Sequence, residues 1–214
     1  MGYRWCQDCQ QRVSRVPEPN CEICGLPLPR AGLCKSCKTV RPYYKILRSW
    51  SIFEGPVRNA LHKLKYRRNV ALGEVLAQGM AGFLLTLNWP VDLVIPVPLG
   101  KKRFRERGYN QVALLARPLA FANGLNYLPN ALTRLRETKS QVGLSVLERK
   151  ENVTGAFFAD PSLVKGKTVL LIDDVATTGA TLSSCAQALS NAGALSIYAL
   201  TLARALPQHG LQKV

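Results

Sequence analysis

From Ile46 onward the chain alternates between two hydrophobic rhythms. Ile46 to Phe53 is an apolar, strand-like run closed by the turn Glu54-Gly55-Pro56. Val57, Ala60, Leu61 and Leu64 then recur at helical spacing, which predicts an amphipathic helix. Its other face and its exit carry Arg58, His62, Lys63, Lys65, Arg67 and Arg68, a solvated face by default and an anion-facing strip as the alternative. A further helix is expected from about Ala71 to Leu87, with close packing accounting for Gly73, Gly79 and Gly82. Val91 to Val97 and Thr168 to Ile172 are branched apolar runs suited to a sheet covered on both faces. A helical pattern follows each: Gln111 to Ala122, which Pro118 is expected to kink or divide, and Thr181 to Ala192, stopping at Gly193. Ile197 to Leu202 reads as one more strand. Strands alternating with helices predict an open parallel α/β sheet, with ligands at the carboxyl ends of its strands.

Before residue 38 cysteine replaces this rhythm. Six of the seven cysteines form three CxxC pairs, Cys6/Cys9, Cys21/Cys24 and Cys34/Cys37. In a chain whose first residues lack the apolar stretch of a secretory signal, paired cysteines read as thiolate metal ligands rather than disulfides. Two knuckles make one tetrahedral four-thiolate site, and zinc is the default ion. Cys21 and Cys24 couple best with Cys34 and Cys37, because the nine residues between include Gly25, Pro27, Pro29 and Gly32 and turn the chain back. Cys6 and Cys9 lack two further ligands and read as half of a site. Metal is expected to hold this small unit together, since so short a segment cannot bury a core unaided. Thr39 to Tyr44 is a basic connector, which divides the chain into a zinc-ribbon-like unit at 1–44 and an α/β domain at 45–214.

Composition excludes some classes. With 214 residues, 47% hydrophobic and 20% charged, the chain can bury a core and is not disordered. Its apolar runs fall short of the ~20 residues a spanning helix needs, so no membrane span is expected, and the location expected is cytoplasmic. Twenty-nine Lys and Arg against 13 Asp and Glu leave a net charge of +16, which favours polyanionic partners without choosing among them.

The most specific chemistry lies in Val169 to Thr181. A buried strand delivers Asp173 and Asp174, and a loop of small and hydroxylated residues then opens a helix. The backbone N–H groups and Thr hydroxyls of Ala176, Thr177, Thr178, Gly179, Ala180 and Thr181 form a cup for a phosphate, and Gly179 lets the backbone approach closely. The two acids suit neutral donors beside that phosphate, above all ribose hydroxyls, so a sugar 5′-phosphate satisfies both halves. After Pro98, the basic loop with Lys101, Lys102, Arg103, Arg105 and Arg107 is placed to neutralise a pyrophosphate. No Ser/His/Asp set is present; His62 and His209 read as surface residues and Cys185 as packing.

Four apolar residues, two acids, a variable pair and Thr-Thr-Gly-x-Thr resemble the signature of the type I phosphoribosyltransferases. The resemblance implies binding of phosphoribosyl pyrophosphate (PRPP) with Mg²⁺ held through substrate oxygens, Asp173 and Asp174 on the ribose, and the cup on its 5′-phosphate. Val94 to Leu99 followed by Arg103, Arg105 and Arg107 to Gln111, together with Arg136, Thr138, Gln141, Leu144, Arg149, Asn152 and Ala156-Phe157, resembles the ComF/GntX family. That likeness implies a part in natural competence and DNA uptake, with single-stranded DNA or a competence helicase as partner. Tyr43, Tyr44, Trp50, Tyr66 and Tyr109 lie among basic residues, as stacking groups or as core. Thr138 to Leu144 is expected to form a lid. The family also implies a CxxC pair upstream, so that Met1 falls downstream of a native start and Cys6/Cys9 is orphaned. Two readings stay open: a phosphoribosyltransferase of unknown acceptor, and a non-catalytic PRPP- and single-stranded-DNA-binding protein.

Overall fold

The computed structural model describes residues 5–136 and 155–206. In chain order these form α1 (Gln7–Gln11), α2 (Lys35–Thr39), β1 (Ile46–Ile52), α3 (Gly55–Tyr66), α4 (Ala71–Leu87), β2 (Leu93–Pro96), α5 (Lys101–Arg107), α6 (Gln111–Ala122), β3 (Asn126–Tyr127), β4 (Leu132–Arg134), β5 (Phe157–Ala159), α7 (Pro161–Val164), β6 (Thr168–Ala176), α8 (Ala180–Asn191) and β7 (Ser196–Arg204). The proposed lid at Thr138 to Leu144, His209, and the family residues Gln141, Arg149 and Asn152 lie outside the described residues.

Five strands form a sheet in the order β1-β7-β6-β2-β3, and every pairing is parallel. β4 and β5 make a separate antiparallel pair. Because strand side chains alternate, β6 feeds two cores at once. Leu170 and Ile172 pack with Leu64, Met80 and Leu115 on the side of α3, α4 and α6. Val169 and Leu171 pack with Leu182, Cys185 and Leu189 of α8 on the other. This puts β6 at the centre of a sheet covered on both faces, with its carboxyl end beside that of β2: Pro96 is in register with Ile172, and Val97 N donates to Ile172 O at 2.9 Å.

Three expectations change. Pro118 neither kinks nor divides α6, which runs unbroken from Gln111 to Ala122. Proline has no N–H for the carbonyl four residues back. That carbonyl, Leu114 O, instead faces Gly73 of α4, where a Cβ would come within 2.9 Å of it. Gly79 also has a packing reason, since it lies against the buried Trp50 indole, but Gly82 meets nothing within 4 Å. Finally, the basic segment after Pro98 is not a loop: Lys101 to Arg107 form α5, capped by Gly100 and by Gly108 at φ 81°.

The two glycines of α4 therefore respond oppositely to alanine. Gly79→Ala drives a methyl into Trp50 and is expected to cost about 1–3 kcal/mol. Gly82→Ala on the exposed face gains about 0.5–1 kcal/mol of helix propensity. Urea unfolding of the two variants measures both signs.

Candidate functional site

Two centres sit on this scaffold. In the first, Cys21, Cys24, Cys34 and Cys37 are buried and their sulfurs all lie within 4.8 Å of one another. None is in a disulfide, and Cys24 Sγ is 3.6 Å from Cys34 Sγ. Bonds of ~2.3 Å to one tetrahedral ion need sulfur separations of ~3.8 Å, so this donor set fits a single thiophilic metal. Burial pushes the Cys24 thiol up to about 11, whereas backbone N–H groups hold Cys21 down at about 6 against its own burial. Four adjacent thiolates thus need a cation to coexist. Cys6 and Cys9 stand apart: Cys6 begins α1, its sulfur accepting from Cys9 N at 3.4 Å, and among the described residues the pair joins no third ligand.

The second centre is the carboxyl end of β6. The strand runs on through Asp173 and Asp174 to Ala176, so alternation sends neighbouring carboxylates to opposite faces. Asp174, 6% exposed, turns toward α3 and α6. Its Oδ2 is 3.0 Å from Lys65 Nζ and accepts from Gln111 Nε2 at 2.8 Å. Arg107 Nη1 donates to Gln111 Oε1 at 2.7 Å while its guanidinium lies 5.3 Å from the centre of the Tyr66 ring. Tyr109 donates to Leu64 O, and Asn110 Nδ2 to Val97 O at 3.0 Å. Burial alone would raise the Asp174 carboxyl, but Lys65 and Gln111 hold it below the usual range. Asp173, on the α8 side, is raised by burial first and by the neighbouring Asp174 charge second; its Oδ1 accepts from Asp174 N at 2.8 Å.

Beyond Ala176 the chain turns into α8 through Thr177, Thr178 and Gly179. Gly179 is the N-cap at φ 78°, a left-handed conformation without a side chain to close the first turn. Thr178 Oγ1 accepts from Ala180 N at 3.3 Å, and Thr181 follows in the first turn. Tyr44 is buried against this turn, so that a Cβ on Gly179 would lie 2.7 Å from its hydroxyl.

The fold thus brings the acid pair, the cup, Pro98 and Arg107 to one end of the sheet. Lys101, Lys102 and Arg103 lie on the exposed side of α5. Sequence reasoning placed Lys65 on a strip that is solvated by default and anion-facing as the alternative; it is four residues beyond the buried Leu61, hence on the edge of the inward face, its side chain is only 17% exposed, and the anion it faces is Asp174. The buried Arg204 and the placement of Tyr44 had no local signal, because each depends on a partner far along the chain. His62 is exposed and Cys185 is buried packing, as expected.

A phosphoribosyl transferase domain model matches residues 108–211. DNA utilization protein YhgH of Salmonella typhi is 34% identical over 203 residues, covering 92% of this chain and 87% of that protein. Competence protein F of Haemophilus influenzae is 30% identical over 213 residues (94% and 90%), and competence protein ComFC of Bacillus subtilis 28% over 212 (93% and 83%). Among solved structures, a glutamine PRPP amidotransferase from B. subtilis aligns with TM-score 0.41 at 22% identity, covering 61% of this chain and 26% of that one. An adenine phosphoribosyltransferase from Thermoanaerobacter pseudethanolicus aligns with TM-score 0.41 at 14% identity (64% and 82%).

The two acids carry opposite pH signs. Asp174, depressed in the folded state, contributes stability above the ordinary carboxylate range that is lost as pH falls through its folded pKa. Lys65→Met, which strands that carboxylate, is expected to cost about 3–5 kcal/mol at pH 7 and less at pH 3.5, where protonation relieves it. Asp173, raised in the folded state, favours folding while protonated and loses that contribution as pH rises above about 4. Asp173→Asn is therefore expected to raise Tm more at pH 8 than at pH 4. Thermal unfolding of both variants across pH tests the pair.

Proposed function

Since the chain belongs to the ComF family, as its 34% identity to a YhgH protein across 87% of that protein establishes, we propose that it binds PRPP with Mg²⁺ at the end of β6 and serves the handling of DNA that its relatives' names describe. The observation that carries this is the convergence, at one sheet end, of Asp173 and Asp174 with a glycine-opened turn into α8. In this reading Ala176, Thr177, Thr178, Gly179, Ala180 and Thr181 surround the 5′-phosphate. Asp173, raised by burial and by the neighbouring Asp174 charge, takes a ribose hydroxyl first; Asp174 takes one as Lys65 yields. Pro98, Lys101, Lys102, Arg103 and Arg107 face the pyrophosphate. Mg²⁺ would be held by substrate oxygens and would supply charge neutralisation to the pyrophosphate. Zinc is the proposed occupant of the four-cysteine centre, with a structural role.

In a transfer reaction an acceptor's lone pair would form the new bond to the anomeric carbon as pyrophosphate departs with the electrons of the broken C–O bond. This chain's contribution would be position and electrostatics. A second reading, PRPP and single-stranded DNA binding without turnover, draws on the exposed α5, where Phe104 is half exposed among cations, and on the exposed Tyr66 under Arg107.

Calorimetry with PRPP and Mg²⁺ is expected to give one site per chain. Asp173→Ala and Gly179→Val should each weaken it at least tenfold, the latter by forcing a branched residue into the left-handed turn against Tyr44. Wild-type protein that binds no PRPP overturns the proposal. Pyrophosphate release across candidate acceptors separates the two readings, and affinity for a labelled single strand that is flat with salt would remove the DNA contact.

A further inference from the structure

Three tethers join the metal centre to the phosphate cup. From the cysteine side, Arg204 at the end of β7 is 3% exposed; its Nη1 donates to Cys24 O at 3.0 Å and its Nη2 lies 3.9 Å from Cys24 Sγ. The same residue pairs in register with Ala176, the first residue of the cup, and Ala205 N donates to Ala176 O at 3.0 Å. From the connector side, the buried Tyr44 sets its hydroxyl against Gly179, where a Cβ would lie 2.7 Å from it. The preceding residue grips α8 directly: Tyr43 N donates to Ser183 Oγ at 3.2 Å, and Gln187 Nε2 to the Tyr43 hydroxyl at 3.0 Å.

Charge explains why these tethers depend on the metal. A divalent ion among four thiolates keeps two net negative charges. Two partly or fully buried guanidiniums face the cluster: Arg204, and Arg48, which donates to Cys21 O at 3.4 Å and Glu22 O at 3.1 Å. The ion also fixes position: the unit's buried cluster contains little besides the four cysteines, so without the ion the Cys24 carbonyl that Arg204 holds is no longer anchored.

We infer that the four-cysteine centre sets the geometry of the phosphate cup through Arg204, Tyr43 and Tyr44, so that metal occupancy and ligand binding at the cup strengthen one another. Arg204, Tyr43 and Tyr44 are positioning residues, since they act on the cup without touching the ligand. The coupling is reciprocal, so a ligand at the cup raises metal affinity by the factor by which metal raises ligand affinity. This rests on the PRPP reading above.

The test uses the full metal-loaded chain and follows metal transfer to a chromogenic chelator with and without Mg-PRPP, beside calorimetry of PRPP binding. In wild-type protein PRPP is expected to lower the equilibrium constant for metal transfer to the chelator about tenfold. Arg204→Met, and separately the surface double variant Ser183→Ala/Gln187→Ala, are expected to keep one metal per chain while that protection falls to threefold or less. A general loss of stability would change metal retention equally with and without PRPP, so the ligand-dependent ratio isolates the coupling. Should Arg204→Met fail to fold, the surface variant decides. The inference is overturned if wild-type protein binds PRPP yet its metal retention is unchanged by it, or if full protection persists in the variants. Wild-type protein that binds no PRPP at all overturns the functional reading first and this inference with it.

Discussion

A carboxylate buried at the end of a central parallel strand has to be compensated, and the compensation of Asp174 organises one end of this protein. Lys65 comes from the last turn of α3, Gln111 from the first turn of α6, and Arg107, which holds Gln111, from the last turn of α5. One carboxylate oxygen therefore fixes the termini of two helices directly and a third through Gln111. The ion pair itself contributes less than its Coulomb attraction suggests, because desolvation offsets much of it. Its larger effect is to specify where the helices end. Asp173, one residue away, is left to the other face with a raised pKa, so the sheet separates a satisfied acid from one whose ionised form gains from a new donor.

The amino-terminal unit obeys a different constraint. Its buried cluster contains little besides the four cysteines, with Ile23, Leu26, Leu28 and Leu33 only partly covered around them. It docks along β1 by backbone contact, with Leu47 N donating to Ile23 O at 2.7 Å, and Gly25 at φ 66° lies where any Cβ would meet Leu47 O at 2.9 Å. The unit thereby covers one edge of the sheet, which an unpaired parallel strand would otherwise expose.

Much of this was legible in the chain. The β6 strand and α8 are found within a few residues of their expected bounds, because a branched apolar run and an acid pair before Thr-Thr-Gly leave few alternatives. The knuckle couple Cys21/Cys24 with Cys34/Cys37 was legible for the same reason: ligand spacing is local. What escaped was set by distant partners. Pro118 was expected to kink or divide its helix, and the Leu114 carbonyl it abandons lies against Gly73, forty-five positions earlier. Lys65 looked solvated because its carboxylate lies more than one hundred residues on. The sequence also did not show that β6 continues through both acids, which sets Asp173 and Asp174 on opposite faces of the strand.

α5 carries the remaining conflict between levels. Its last turn holds Arg105 and Arg107, which complement the negative end of a helix, but its first turn holds Lys101, Lys102 and Arg103 and no acid. Cations placed on the positive end of a helix oppose its dipole, and a Gly100 N-cap offers no side chain to relieve them. Through the dipole this placement is unfavourable, while the opposite order of the same residues would be favourable. Local rules are most often broken where function requires it. Joined to the end of β2, this segment is where a multiply charged anion would relieve that conflict, which is the physical ground for the pyrophosphate placement proposed above.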